Sequence, residues 1–128
     1  MIIGIGTDML EVYRIQNILD RRDPMIFLAR ILTPAEITLA QVRTKNVVTF
    51  VAGRFAAKEA IVKAMGYGIG SCVGFQDIEI LPDQWGKPCV QLSQASRLRC
   101  KLDEHTVVHL SITHTHIHAS AFAVLEQR

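Results

Sequence analysis

The hydrophobic positions change period several times along the chain. Met1-Ile2-Ile3-Gly4-Ile5-Gly6 is a short apolar run with β-branched residues, closed by glycines, and it predicts a strand. From Glu11 to about Asp20, Val12, Ile15, Ile18 and Leu19 recur at helical spacing and form one stripe. Arg14 and Arg21 are seven residues apart and share another face of that helix, with Arg22 beside them. Met25, Ile26, Phe27 and Arg30 follow, a mixture of apolar and basic side chains without a clear period. Leu32-Thr33-Pro34-Ala35-Glu36 then carries a helix-start signature: Thr33 can cap, Pro34 suits the first turn, and Glu36 stands at the capping-box position. That helix is predicted to reach about Arg43, before a polar break at Thr44-Lys45-Asn46. A long helix runs from Val47 to a glycine C-cap at Gly66.

The second half alternates. Phe75 to Leu81 and Val90-Gln91-Leu92 have period two around a turn at Asp83-Gln84-Trp85-Gly86, which predicts a β-hairpin. Ser93 can cap a helix through about Leu102, and Thr106–Thr113 and Ala119–Leu125 read as strands around a His-rich bend. Gly66, Gly68, Gly70 and Gly74 follow a helix and do not join a strand to one, so they are neither a dinucleotide fingerprint nor a P-loop. The order predicts one α+β domain, residues 1–128, with a mostly antiparallel sheet packed against a long central helix.

Composition narrows the partners. A net charge of +2 and a pI near 8.6 are too mild to imply nucleic acid, so an electrostatic partner must be read by a local patch. Three cysteines, Cys72, Cys89 and Cys100, have no C-x-x-C spacing and an odd count, which fits reduced thiols in a cytoplasmic protein. The first residues lack a basic region and meet Asp8 and Glu11 early, unlike a signal peptide. His105 to Leu125 lacks Asp, Glu, Lys and Arg but is studded with His, Thr and Ser, so no membrane span is expected. The positive mean hydropathy, +0.23, points to apolar surface buried between subunits.

The candidate chemistry centres on Gly53-Arg54-Phe55-Ala56-Ala57-Lys58-Glu59-Ala60-Ile61-Val62-Lys63-Ala64. At about 100° per residue, Ala52, Phe55, Ala56, Val62 and Lys63 crowd the side of Glu59, whereas Arg54 and Lys58 point elsewhere. A carboxylate on a packed face needs a partner. On helix geometry that partner is Lys63, at i,i+4; a metal is the alternative. Asp8 has two readings also, helix N-cap or metal ligand, and spacing favours the cap. His114, His116 and His118 alternate and, with His109, suggest an open zinc site of a hydrolase, although no carboxylate base lies in the bend. Thr113 and Thr115 suggest instead a loop in which hydroxyls, amides and one imidazole meet an anion. Arg14, Arg21, Met25 and Phe27 read as a solvated face or as a docking surface for an acidic partner helix.

Taken together, these stretches resemble the holo-acyl-carrier-protein synthases, the short-type 4′-phosphopantetheinyl transferases. The anchors are Gly4-Ile5-Gly6-Thr7-Asp8, Gly53 to Ala60 with Lys63-Ala64, Phe75-Gln76-Asp77-Ile78-Glu79-Ile80, Gly86-Lys87-Pro88 and Ser111-Ile112-Thr113-His114-Thr115, in order over nearly the whole chain. Residues 20–26 and His116-Ile117-His118 depart from the family pattern. The resemblance implies transfer of the phosphopantetheine arm from coenzyme A to a serine of apo-acyl carrier protein in fatty acid biosynthesis, releasing adenosine 3′,5′-bisphosphate. It implies a cytoplasmic homotrimer with active sites between subunits, and an acidic carrier docked on the first helix at Arg14, Arg21, Met25 and Phe27. It further implies Mg²⁺ held by Asp8 and Glu59, Lys63 neutralising the pyrophosphate, and His114 holding the coenzyme A 3′-phosphate. Arg54 and Lys58 become further phosphate contacts. The serine base is left open between Glu59, acting through a metal-bound water, Glu36, whose capping role makes it the weaker candidate, and a metal-activated hydroxyl with no dedicated side-chain base.

Overall fold

The structure, a computed structural model, describes residues 1–21, 23–42 and 46–128. Arg22, Arg43, Thr44 and Lys45 lie outside it, and with them the end expected for the third helix, most of the polar break and one arginine of the basic face. A three-stranded antiparallel sheet holds β1 (Ile2–Glu11), β5 (His118–Gln127) and β4 (Thr106–His114) in that order. β2 (Ile78–Pro82) and β3 (Pro88–Leu92) form a separate two-stranded sheet, so the antiparallel strands do not make one continuous layer. The helices are α1 (Val12–Leu19), α2 (Pro24–Ile31), α3 (Pro34–Val42), α4 (Val47–Met65) and α5 (Gln94–Arg99).

α4 is the axis of the fold. It lies across β1 and β5, with Ala52, Ala56, Ala57, Ala60 and Ala64 buried along it. β5 answers with Ala119, Ala121 and Ala123, also buried. Small side chains on both surfaces bring helix backbone close to sheet backbone. The closest approach is at β1, where a Cβ on Gly4 would overlap the Ala64 carbonyl oxygen and a Cβ on Gly6 the Ala60 carbonyl oxygen. Both glycines are therefore required by the approach of the helix. Larger apolar groups, including Ile15, Ile31, Leu32, Ile61, Ile78 and Ile80, fill the space between α4, the other helices and β2.

Several boundaries differ from the sequence reading, each for a local reason. β1 does not end at Gly6, because pairing with β5 continues through Leu10↔Ala119 and Glu11↔His118. Asp8 therefore lies inside a strand and is not a helix cap; α1 follows Glu11, which makes no side-chain cap bond. α2 was not visible in the hydrophobic pattern, and it begins at Pro24, whose missing N–H costs nothing in a first turn. Phe75–Asp77 is a 3-10 turn, since the Gly74 N–H donates to Asp77 Oδ2 (2.8 Å) and tightens the chain before β2 starts. α5 starts at the expected Ser93 cap, whose Oγ accepts from the Ser96 N–H (3.1 Å). It stops at Arg99, and Lys101 then takes a left-handed backbone conformation. α4 begins and ends where the sequence places it, and Gly66 supplies the left-handed C-cap at φ 85°.

Candidate active site

The alternation of β1 puts Gly4, Gly6, Asp8 and Leu10 on the side facing α4. The two glycines let the helix settle onto the strand, and Asp8, next along, is the first long side chain on that line. It meets Lys63, whose Nζ donates to Asp8 Oδ1 (3.1 Å) and to the Thr7 carbonyl oxygen (3.0 Å). The ion pair expected between Glu59 and Lys63 is not made. Lys63 leans to the strand, and the half-buried Glu59 carboxylate has no hydrogen bond or ion pair with any described residue. Its carboxyl is held above the usual range, first by burial and then by the negative charge of Asp8, with Lys63 working in the opposite direction. Two carboxylates and one cation thus share a small region at the β1–α4 contact, with a carboxylate left over.

Lys58 is elsewhere. The sequence reading offered it as a phosphate contact, but its side chain is fully buried. Its Nζ donates to the Ile31 carbonyl oxygen (2.6 Å), Glu36 Oε1 (2.7 Å) and the Phe75 carbonyl oxygen (3.0 Å). An ammonium has three N–H groups, and all three are committed. Glu36 is also fully buried. It closes the capping box with Thr33, accepting the Thr33 N–H (2.8 Å) while its own N–H donates to Thr33 Oγ1 (3.3 Å). Its other oxygen accepts the Ile80 N–H (2.9 Å). Neither residue is available to substrate, which removes Glu36 as a base. The capping-box spacing was legible; the Lys58 partnership was not, because it joins residues 22 apart.

Farther towards the N-terminal end of α4 lies an open cleft of about 550 Å³. Gly53 and Arg54 face it from the helix, Ile112 and His114 from β4, Gly86 from the β2–β3 turn and Pro88 from the start of β3. Arg54 is mostly buried, stacked over Phe50 (4.5 Å to the ring centroid) with Nε donating to the Ile80 carbonyl oxygen (3.2 Å). His114 is exposed at the end of β4. Gly53 keeps the cleft open, since a Cβ there would stand 3.1 Å from Ile112 Cγ2. Gly86 closes the turn expected from the sequence, and that turn is shaped by Asp83, whose Oδ1 accepts the Trp85 and Lys87 N–H groups (2.8 and 2.9 Å).

The histidines do not gather into a metal site. His109 is turned across to Glu126 (2.9 Å), and the strand ends at His114, so the alternation that would align His114, His116 and His118 stops there. Among the described residues no three His, Cys, Asp or Glu side chains are grouped to hold a metal, and the zinc-hydrolase reading falls. Arg14, Arg21 and Met25 are exposed, whereas Phe27 is half-buried against the core. No helix among the described residues is long and apolar enough to cross a membrane.

Comparison with known proteins gives one answer. The family model of the 4′-phosphopantetheinyl transferase superfamily matches residues 4–123. The chain is 43% identical over 128 residues to a holo-[acyl-carrier-protein] synthase of Anoxybacillus flavithermus, covering 99% of this chain and 98% of the relative. It is 46% identical over 131 residues to the Bacillus subtilis protein of the same name, again covering 99% and 98%. The crystal structure of the Bacillus anthracis holo-(acyl-carrier-protein) synthase in complex with CoA (3′,5′-ADP) superposes with a TM-score of 0.84 at 43% identity, over 100% of this chain and 99% of that one. The Neisseria meningitidis synthase gives 0.88 at 37% identity, over 98% and 99%. With its glycine-cradled Asp8, its Glu59–Lys63 helix and near-complete coverage in every comparison, this chain belongs to the holo-[acyl-carrier-protein] synthase family of the 4′-phosphopantetheinyl transferase superfamily.

Proposed function

We propose that this protein transfers the 4′-phosphopantetheine group of coenzyme A to a serine of an apo-acyl carrier protein, leaving adenosine 3′,5′-bisphosphate, as a single catalytic domain over residues 1–128 in the cytoplasm. The observation that carries the reading is the Glu59 carboxylate, left without a hydrogen bond beside the Asp8–Lys63 pair on the helix that also floors the cleft. Gly53 and Glu59 are six residues apart, about 9 Å along a helix. A substrate with an anionic pyrophosphate at one end and a phosphorylated nucleoside at the other matches that separation.

The donor set suits Mg²⁺. Hard divalent cations take oxygen ligands and accept one or two carboxylates with substrate phosphates, and here the excess negative charge of Asp8 and Glu59 over Lys63 is what such a cation would balance. Bound there, Mg²⁺ would supply charge stabilisation for the pyrophosphate undergoing displacement. Lys63, exposed at its tip, neutralises the same phosphates while its hydrogen bonds to Thr7 and Asp8 hold it in place. Glu59, whose carboxylate has no hydrogen bond to any described residue, is the side chain suited to receive the serine proton. Arg54 and His114 bind the nucleotide end in the cleft, His114 towards the 3′-phosphate.

Two partner surfaces complete the reading. Arg14 and Arg21, with Met25 and the exposed edge of Phe27, receive the acidic carrier. On the face of the three-stranded sheet away from α4, Ile3, Ile5, Met9 and Phe122 are exposed together, and they form the contact between subunits of a homotrimer.

The test is to incubate the protein with apo-carrier protein, coenzyme A and Mg²⁺ and to weigh the carrier by mass spectrometry. A phosphopantetheine adduct, absent after chelation, is expected. No adduct under any metal condition would overturn the reading.

A further inference from the structure

The buried Glu36–Lys58 pair does more than the fold's stability asks of it. Two fully buried charges are costly to desolvate, and well-packed apolar residues of similar volume often serve stability equally well. Burial draws the Lys58 ammonium pKa down, and Glu36 is what opposes this. The helix that carries Lys58 also has an unusual surface. Ala52, Gly53, Ala56, Ala57, Ala60 and Ala64 make one face of α4 smooth, the face towards the three-stranded sheet, whereas Val51, Arg54, Phe55, Ile61 and Val62 project on the other sides. Apolar burial has no preferred direction, so contacts along the small-residue face set the fine rotation of the helix less sharply than directional bonds do. Hydrogen bonds do have direction. Lys58 supplies three of them, to the end of α2, to the capping box of α3 and to the turn before β2, and Glu36 passes the restraint on to the Ile80 N–H of β2.

Lys58 immediately precedes Glu59, the carboxylate with no hydrogen-bond partner among the described residues. Side-chain tips lie about 5–6 Å from a helix axis, so a rotation of about 20° would carry the Glu59 carboxylate about 2 Å. That is comparable to a whole Mg²⁺–oxygen bond of about 2.1 Å. We propose that Lys58 and Glu36 are positioning residues for Glu59, locking the rotation of α4 so that the Glu59 and Asp8 carboxylates converge on one cation. The inference rests on the Mg²⁺ role of Asp8 and Glu59 given above.

The experiment compares wild type with the double variant Glu36→Leu/Lys58→Met, in which both charges are removed together. Mg²⁺ binding is followed by titration calorimetry with coenzyme A present, alongside kcat, the KM for coenzyme A and the melting temperature. Outer residues that orient metal ligands typically contribute about 10–100-fold to affinity or activity. The expected result is a folded double variant whose Mg²⁺ affinity and kcat each fall by about that factor, with KM for coenzyme A within about twofold, since Arg54 and His114 are untouched. A folded double variant with wild-type Mg²⁺ affinity and kcat overturns the positioning role. Should the double variant not fold, Glu36→Gln is read by the same measurements, because it keeps one oxygen for Thr33 and Lys58 but cannot accept from Ile80. Failure of both to fold assigns the pair to folding alone and overturns the inference. Wild type that binds no Mg²⁺ at all sinks the functional reading instead.

Discussion

Lys63 donates to Asp8 across 55 residues of chain, at 3.1 Å, and leaves Glu59, one helical turn before it, without an ion pair among the described residues. Intrahelical ion pairs at exposed sites are worth only a few tenths of a kcal/mol, so a strand carboxylate and a carbonyl oxygen in reach together outcompete one. Glu59 thereby has no structural bond to lose. Glu59→Gln should fold with a melting temperature equal to or above that of wild type without metal, since it removes a half-buried charge repelled by Asp8. Turnover should fall by at least about 100-fold, or about 3 kcal/mol of lost transition-state stabilisation. Asp8→Asn should lose activity similarly. Near-wild-type turnover of either at limiting Mg²⁺ would remove the metal assignment.

The pH dependence follows from the same carboxyl. Burial first, and Asp8 second, raise the Glu59 pKa above its ordinary 4.5. The folded state therefore binds this proton more tightly than the unfolded state. The associated stability is fully present below about pH 4.5 and is lost as pH rises through the folded-state pKa. Mg²⁺ bound at the proposed Asp8–Glu59 site would compete with that proton and compensate the charge. The increase in melting temperature produced by Mg²⁺ over chelator should thus grow as pH rises from 4.5, and Glu59→Gln should flatten that growth. A pH-independent Mg²⁺ shift in wild type would contradict it.

Gly6 and Gly53 separate two uses of a missing side chain. Gly6→Ala forces a methyl into the Ala60 carbonyl oxygen of α4, a backbone atom that cannot move aside. Overpacking of this kind costs about 1–3 kcal/mol or more, and the displaced helix should take activity with it. Gly53→Ala meets only the Ile112 Cγ2 at 3.1 Å and narrows the cleft. It should melt close to wild type while raising the KM for coenzyme A. Urea denaturation and steady-state kinetics on both variants check the contrast.

Carrier docking is expected to be electrostatic at the rim. Arg14→Ala should raise the KM for the carrier protein at low salt and leave that for coenzyme A unchanged. The difference should fade by about 0.5 M salt, where screening acts over only a few ångströms. An unchanged carrier KM at low ionic strength would remove α1 from the docking surface.

Subunit assembly is tested at Phe122, exposed on the sheet face away from α4. Phe122→Asp should convert a trimer to a monomer in light scattering, with the far-ultraviolet dichroism of each chain retained. A wild-type protein that is monomeric at micromolar concentration would refute the proposed interface directly.

What the sequence determined by itself is local or ordered along the chain. The extent of α4 from Val47 to its Gly66 cap, the Thr33–Glu36 capping box, the Ser93 cap and the late pair of strands all arise from neighbours within a few residues, whose spacing is visible in a string of letters. The order of motifs from Gly4 to Thr115 was sufficient to indicate the family. Tertiary structure decided the rest, because the competing partners are distant in sequence. β1 runs past its glycines because β5 is there to pair with it, which turns Asp8 from a helix cap into a strand side chain. Lys58 and Lys63 are five residues apart on one helix. One is buried against Glu36 and the other reaches out to Asp8, according to what α3 and β1 place beside them. A helix periodicity assigns a direction to each side chain; only the packing of other elements determines whether that direction leads to a buried carboxylate or to an open site.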